Sequence, residues 1–98
     1  MDKQEEEERK ALVDLYNFCN GPQWPNSLNW CSNRPVKEWY GITIDGTTGR
    51  VIKLYLPFLN QLTGDISKWT AIASLTQLQE LWLSYNRLTG DISKWTAI

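Results

Sequence analysis

Side chains that commonly carry out catalysis or hold metals are scarce in this 98-residue chain. There is no histidine, which removes the commonest general base and metal ligand. The two cysteines, Cys19 and Cys31, are too few and too badly spaced for a four-thiolate zinc site. We therefore predict no metal and no cofactor. Catalysis would have to rest on paired carboxylates or an activated thiol.

Neither of those two arrangements is convincing in the sequence. Asp65 and Asp91 occupy matching places in two identical segments, and a shared loop position explains them. Cys19 falls on the apolar stripe of a predicted helix, which is the wrong setting for a nucleophile. We predict that the protein is not an enzyme. A disulfide between Cys19 and Cys31 is one interpretation of the cysteines, and two small buried thiols are the favoured one.

The charge balance argues against nucleic acid and membrane as partners. The formal net charge is −1, which gives no bulk attraction to anionic polymers or lipids. No stretch approaches the ~20 apolar residues needed to cross a bilayer, so we predict no membrane insertion. The start of the chain is charged and lacks an apolar leader. We predict a soluble intracellular protein, with secretion after removal of a leader as the alternative.

The first half of the chain contains a helix with both ends marked. Acidic residues 5–8 favour a solvated helix start through the helix dipole. The alternative is that they attract a basic partner. Gly21 and Pro22 predict the end of the helix. The apolar residues between them share one helical stripe: Ala11, Leu12, Leu15, Tyr16 and Cys19.

A loop and a hairpin are predicted next. Residues 22–38 look irregular, and we interpret Trp24 and Trp30 as pegs that hold the loop down, with a ligand cage as the alternative. Ile42 and Ile44 alternate with Thr43, the segment "DGTTG" is a turn signal, and alternation resumes over 51–56. This pattern predicts two short strands joined by a turn.

The second half of the chain is repetitive. The segment "LTGDISKWTAI" occupies residues 62–72 and again 88–98. Upstream, "LYL" and "LWL" match at a spacing of 27 residues, and strand alternation predicts that Tyr55 and Trp82 point outward, side by side. From Ile66 the apolar residues fall every third position, which suits 3₁₀-like turns. A turn or two of α-helix over 67–74 is the alternative.

These motifs resemble a known family. "ERKALVDLYNFCNGPQWPNSLNW" with "EWYGITID" and "GRVIKLYL" resembles the N-terminal cap of plant-type leucine-rich-repeat proteins, and the "NRLTGDI" stretch resembles the repeat signature. The resemblance implies an α/β solenoid: a leucine-rich repeat with a helical N-terminal cap and short parallel strands on a concave face. Residues 1–50 would form the capping region of helix, Trp-rich loop and hairpin. Residues 51–98 would form about two repeats.

The predicted solenoid suggests where a partner would bind. Solenoids bind partners on the concave strand face, so we predict a protein-binding module. Two alternatives are that the aromatic residues merely shield the sheet or form a platform for carbohydrate or another small ligand. The outward residues that would form the binding face are Lys53, Tyr55, Glu80, Trp82 and Ser84.

The end of the chain suggests a second interface. A solenoid needs a cap at each end, and none is evident after the second repeat. We therefore expect further repeats, a partner chain or a homo-oligomer at this end. Alternatives for the whole protein are a structural subunit locked in a larger assembly, or a fragment of a leucine-rich-repeat receptor. The residues of this predicted uncapped end are Leu83, Leu88, Ile92, Trp95 and Ile98.

Overall fold

The chain begins with a 16-residue helix that buries one face. In the computed structural model, which describes residues 3–56, 63–83 and 86–89, helix α1 runs Lys3–Phe18. The predicted stripe is confirmed, since Ala11, Leu12, Leu15 and Cys19 are all buried. The helix stops because Asn20 adopts the left-handed conformation, with φ 62°. We expected Gly21 in that role.

Gly21 is needed for a different reason, which is close packing. It opens a 3₁₀ turn, Gly21–Gln23. A Cβ atom on Gly21 would lie 2.1 Å from the ring of Tyr16. No side chain therefore fits there unless the ring moves.

The loop after the helix is fixed by its tryptophans, as predicted. Trp24 and Trp30 are buried, and their rings meet edge to face with centroids 5.1 Å apart. The indole Nε1 of Trp24 donates to the Cys19 carbonyl (2.8 Å), and that of Trp30 donates to the Tyr40 carbonyl (2.9 Å). Since buried indole N–H groups need acceptors, these bonds explain how an irregular segment holds a defined path.

The strands form two small sheets. The first has the order β1–β2–β4: β1 (Ile42–Ile44) is antiparallel to β2 (Val51–Tyr55), and β2 is parallel to β4 (Glu80–Trp82). The second sheet pairs β3 (Thr63–Asp65) with β5 (Arg87–Thr89) in parallel. The predicted hairpin is confirmed. Its turn is closed by Asp45, whose carboxylate accepts from the backbone N–H of Thr47 (2.7 Å) and Thr48 (2.9 Å).

The every-third spacing of apolar residues gives 3₁₀ structure, as predicted. Two such helices, Ile66–Lys68 and Thr70–Ser74, follow β3. The buried residues of this stretch include Trp69, which is 0% exposed. Its indole Nε1 donates to the Ala11 carbonyl of helix α1 (2.8 Å), so helix α1 lies directly against this segment.

The predicted solenoid is wrong. The structure is a small domain with Cα extents of 33 × 29 × 17 Å, and its described residues form one α-helix and two sheets of mixed and parallel strands. In a solenoid each coil packs only on its neighbours. Here residues from helix α1, the tryptophan loop, the hairpin and the 3₁₀ segment enter a single core. Two repeat-like segments are too few to bury their own apolar faces, and helix α1 packs against the first of them through Trp69.

Strand register shows the same departure from repeat stacking. The β2–β4 pairing joins residues 27 apart, such as Tyr55 and Trp82, which matches the spacing in the sequence. The β3–β5 pairing sets Gly64 against Leu88, 24 residues apart. The duplicated segments would have set Gly64 against Gly90. Equivalent residues of the two segments are therefore not aligned across this sheet.

Candidate functional site

Two large aromatic side chains are exposed next to each other on the three-stranded sheet. Tyr55 and Trp82 are directly paired across β2 and β4, and their ring centroids lie 5.5 Å apart at a tilt of 44°. Tyr55 is 39% exposed and Trp82 is 45% exposed. The predicted side-by-side arrangement is confirmed. Phe18 and Leu28 are also exposed, but among the described residues Tyr55 and Trp82 are the exposed large apolar side chains whose rings contact each other.

Strand alternation places this pair on the outer face. Leu54 and Leu56, on either side of Tyr55, are 0% exposed, and successive side chains of a strand point to opposite faces. The backbone is held on both sides: the N–H of Tyr55 donates to the Gly41 carbonyl (2.7 Å), and the N–H of Leu56 donates to the Trp82 carbonyl (2.8 Å). The aromatic rings therefore stand on a fixed platform.

Close packing under Tyr55 requires glycine at position 41. Gly41 has φ +83°, in the left-handed region that favours glycine. A Cβ atom there would lie 2.4 Å from the Tyr55 carbonyl oxygen. Any larger residue would push β1 away from β2 and disturb the strand that presents Tyr55.

One cation and one anion flank the aromatic pair. The Lys53 Nζ lies 5.1 Å from the centroid of the Tyr55 ring and 6.0 Å from that of the Trp82 ring, within cation–π range. The Trp82 Nε1 donates to the Glu80 carboxylate (3.1 Å). Lys53 and Glu80 are themselves paired in register. We call Lys53, Tyr55, Glu80 and Trp82 the aromatic face.

The other predicted site residues are placed as follows. Ser84 of the predicted binding face lies outside the described residues. So do Ile92, Trp95 and Ile98 of the predicted uncapped end. Leu83 and Leu88 are half-buried and pack against the core.

A buried ion pair was missed by the sequence analysis. We expected acidic residues 5–8 to be solvated, which is wrong for Glu8: it is 1% exposed. Its carboxylate accepts from the backbone N–H of Val51 (3.1 Å), and its second oxygen lies 3.1 Å from the Nε of Arg50. The available signal was helical spacing, because Glu8 precedes Leu12 and Leu15 by four and seven residues and shares their face.

A small cavity lies beside this ion pair. Its volume is about 220 Å³, and its walls include Glu8, Arg9 and Val36. The Glu8 carboxylate is sealed from solvent and engaged by Val51 and Arg50. Arg9 is also engaged, since its guanidinium donates to the carbonyls of Ser32 and Arg34 (both 2.9 Å). Of the charged side chains that line the cavity, Glu8 thus joins the helix to the hairpin, and Arg9 joins the helix to the tryptophan loop.

The two thiols are not activated. Burial raises the pKa of Cys19 to about 11. Desolvation also raises the pKa of Cys31 above its usual value. Both cysteines are free, Cys19 buried and Cys31 exposed, so our expectation of two buried thiols is wrong for Cys31. A raised pKa reduces the thiolate fraction at neutral pH, so neither cysteine shows the lowered pKa that is typical of an activated nucleophile.

Two aspartates, Asp65 and Asp45, bind backbone N–H groups of their own loops. Asp65 caps a 3₁₀ helix by accepting from the Ser67 N–H (3.0 Å). Backbone hydrogen bonds, that of Thr48 first and then that of Thr47, lower the pKa of Asp45. Within residues 3–56, 63–83 and 86–89, no three side chains of the metal-binding types come together in a group that could hold an ion.

Comparison with known proteins supplies no relative. No protein-family model matches the chain, and no curated protein matches it. Among the helices described here, none has the length and apolar character needed to cross a membrane. The function has to be inferred from the aromatic face itself.

Proposed function

We propose that this protein is a non-enzymatic protein-binding module whose contact surface is the aromatic face. The observation that supports the proposal is the exposed, mutually contacting pair Tyr55 and Trp82 on a rigid sheet. Tryptophan and tyrosine are the residues most enriched at the energetic centres of protein interfaces. They bury a large area at a small cost in conformational entropy.

The flanking charges suit the same role. Lys53 and Glu80 stand beside the rings, and charged residues around an aromatic centre give an interface its orientation and specificity. The rings stay more than one-third exposed even though they contact each other. This exposed apolar ring surface is what a partner could cover, and it supports a binding role.

The sequence motifs resemble those of leucine-rich-repeat proteins, and an evolutionary relationship to that family remains a prediction. Members of a fold family have many functions, so the proposal depends on the aromatic face and not on that resemblance. A structural subunit in a larger assembly would use the same face permanently. The module would use it reversibly.

Site-specific photo-crosslinking tests the proposal. We would replace Tyr55 with p-benzoylphenylalanine, which keeps an aromatic ring at this position, and irradiate cells that express the chain. The expected result is a small number of discrete crosslinked species. The same crosslinker at Lys68, an exposed position on the 3₁₀ helix after β3, is the matched control and should not give these species.

A second variant links the crosslinks to the aromatic face. Adding Trp82→Ala to the crosslinker chain should abolish the discrete species, because loss of a central aromatic typically weakens binding by ~2 kcal/mol or more. Identical species from positions 55 and 68, or species that persist without Trp82, would contradict the proposal.

A further inference from the structure

The aromatic face has an internal arrangement that specifies its partner more closely. This inference rests on the proposed function. Lys53 and Glu80 form one cross-strand row of the sheet, and Tyr55 and Trp82 form the next. In each row the β2 residue is the chemical complement of the β4 residue: a cation is paired with an anion, and one aromatic with another. The face is therefore a two-by-two grid in which the charged row has opposite signs on the two strands and the other row is aromatic on both.

Such a grid is complementary to a copy of itself. Consider two copies packed face to face and related by a two-fold axis that runs parallel to the strands, midway between β2 and β4. The rotation exchanges β2 and β4 without moving either row along the strand. It places Lys53 of each copy over Glu80 of the other, and Tyr55 of each copy over Trp82 of the other. All four contacts are favourable, as a symmetric isologous interface requires.

Neither charged group of the face belongs to an ion pair among the described residues, although Lys53 lies over both rings and Glu80 accepts from the Trp82 Nε1. Two ion pairs join described residues, Arg34–Glu38 and Arg50–Glu8, and Lys53 and Glu80 take part in neither. Packed sheets usually cross at about −30°. Each residue of the grid lies roughly 4 Å from the centre of the grid, so this rotation would displace the two residues of a facing pair by only about 2 Å. The long side chain of lysine can follow such a displacement.

The geometry points to a second copy of this chain as the partner of the aromatic face, in a two-fold dimer formed by packing of the three-stranded sheets. The size of the face sets its strength. Three strands of three to five residues cover roughly 140–240 Å² per copy, well below the ~800 Å² of a standard interface. The dimer is therefore weak and reversible, with a Kd of about 100 μM.

Charge reversal tests this pairing directly. Lys53→Glu and Glu80→Lys each create two repulsive contacts in a homodimer, so each variant alone should remain monomeric up to ~2 mM. Mixed together, the two variants form only attractive contacts and should associate with a Kd within about threefold of the wild type. The double variant Lys53→Glu/Glu80→Lys restores both pairs and should form a homodimer again. Sedimentation equilibrium from ~20 μM to ~2 mM measures these four samples and the wild type.

A control separates specific pairing from general charge attraction. Lys68→Glu brings the formal net charge of the chain to −3, as Lys53→Glu does, whereas Glu80→Lys brings it to +1. Lys68→Glu mixed with Glu80→Lys thus has the same net charges as the complementary mixture but keeps a repulsive pair. Lys68→Glu keeps the aromatic face intact and should itself form a homodimer as the wild type does, whereas its heterodimer with Glu80→Lys should form at least about tenfold more weakly than the complementary heterodimer.

Two results would overturn the inference: a wild type that is monomeric at ~2 mM, or single charge reversals that dimerise as well as the wild type. The first result leaves the proposed function open to its own test, because a crosslink from position 55 to a different protein would still support it. Crosslinks to another copy of the chain would have twice the mass of the monomer and would support both.

Discussion

Replacement of Glu8 by alanine should be one of the most damaging single changes in the helix, although Glu8 belongs to a run of four acidic residues. The substitution removes the acceptor of the Val51 N–H, and Val51 is 0% exposed. It also removes the charge partner of Arg50, whose side chain is only 15% exposed. Both groups would remain in the core without their partner.

The cost can be estimated from those two losses. A buried donor left unsatisfied costs about 1–3 kcal/mol, and breaking a buried ion pair costs about 3–5 kcal/mol. Arg50 keeps hydrogen bonds to Gln4 and Thr76, which reduces the second cost. We expect a total loss of about 3 kcal/mol, which is a large share of the roughly 5–15 kcal/mol expected for a domain of this size.

Urea denaturation followed by tryptophan fluorescence measures the effect. Glu8→Ala should lower the unfolding midpoint by about 2 M. Glu8→Gln keeps an acceptor for Val51 and should lose only about 1–2 kcal/mol. Glu7→Ala, at an exposed neighbour, is the control and should change stability by less than about 0.5 kcal/mol. If Glu8→Ala were as mild as Glu7→Ala, the argument for a buried stabilising carboxylate would fail.

Three further predictions concern the core, the thiols and the turn. Trp39 is 2% exposed, so Trp39→Ala should lower the free energy of unfolding by about 3–5 kcal/mol. Trp82→Ala, at an exposed residue, should lower it by less than about 1 kcal/mol. Equal melting midpoints of the two variants in circular dichroism would contradict this prediction. A thiol reagent at pH 8 should modify Cys31 in the folded protein and Cys19 only after unfolding, because Cys19 is buried and its pKa is about 11. Equal modification rates of the two cysteines, measured by mass spectrometry, would refute this prediction. The lowered pKa of Asp45 stabilises the fold above the unfolded value of about 3.9, and this contribution is lost as the pH falls through the folded pKa. The free energy of unfolding of the wild type should therefore exceed that of Asp45→Asn by less and less as the pH falls below about 3.9. A difference between the two proteins that stays constant with pH would contradict a lowered pKa for Asp45.

Local structure was largely readable from residue spacing. The helical stripe from Ala11 to Cys19 predicted the buried face of α1, because a 3.6-residue period is a local property of the chain. The spacing of three from Ile66 likewise predicted 3₁₀ turns, and alternation around Tyr55 and Trp82 predicted their exposure and contact. These features depend on near neighbours or on a single strand pairing.

Features that depend on the whole packing could not be read in this way. Glu8 carries a charge, and charged residues are mostly exposed. Only the arrival of Val51 and Arg50 from the hairpin makes its burial favourable. The duplicated segments predicted stacked coils, yet similar sequence does not determine which surface covers an apolar strand. Here helix α1 packs against the first duplicated segment through Trp69, so this segment enters the same core as the helix.

The hydrogen bond from Trp69 to the Ala11 carbonyl joins residues 58 positions apart, and this separation has a consequence for synthesis. At a translation rate of about 5–20 residues per second, helix α1 emerges several seconds before the segment that covers it. During that interval the helix can contact the tryptophan loop, as Tyr16 contacts Trp24 and Trp30 in the folded protein, but the part of its face that Trp69 covers stays open. Contacts of long sequence range also slow folding, because the entropy of loop closure is lost before the contacts form. We expect nascent chains that end before Trp69 to be the form most prone to aggregate, and the form most dependent on chaperones.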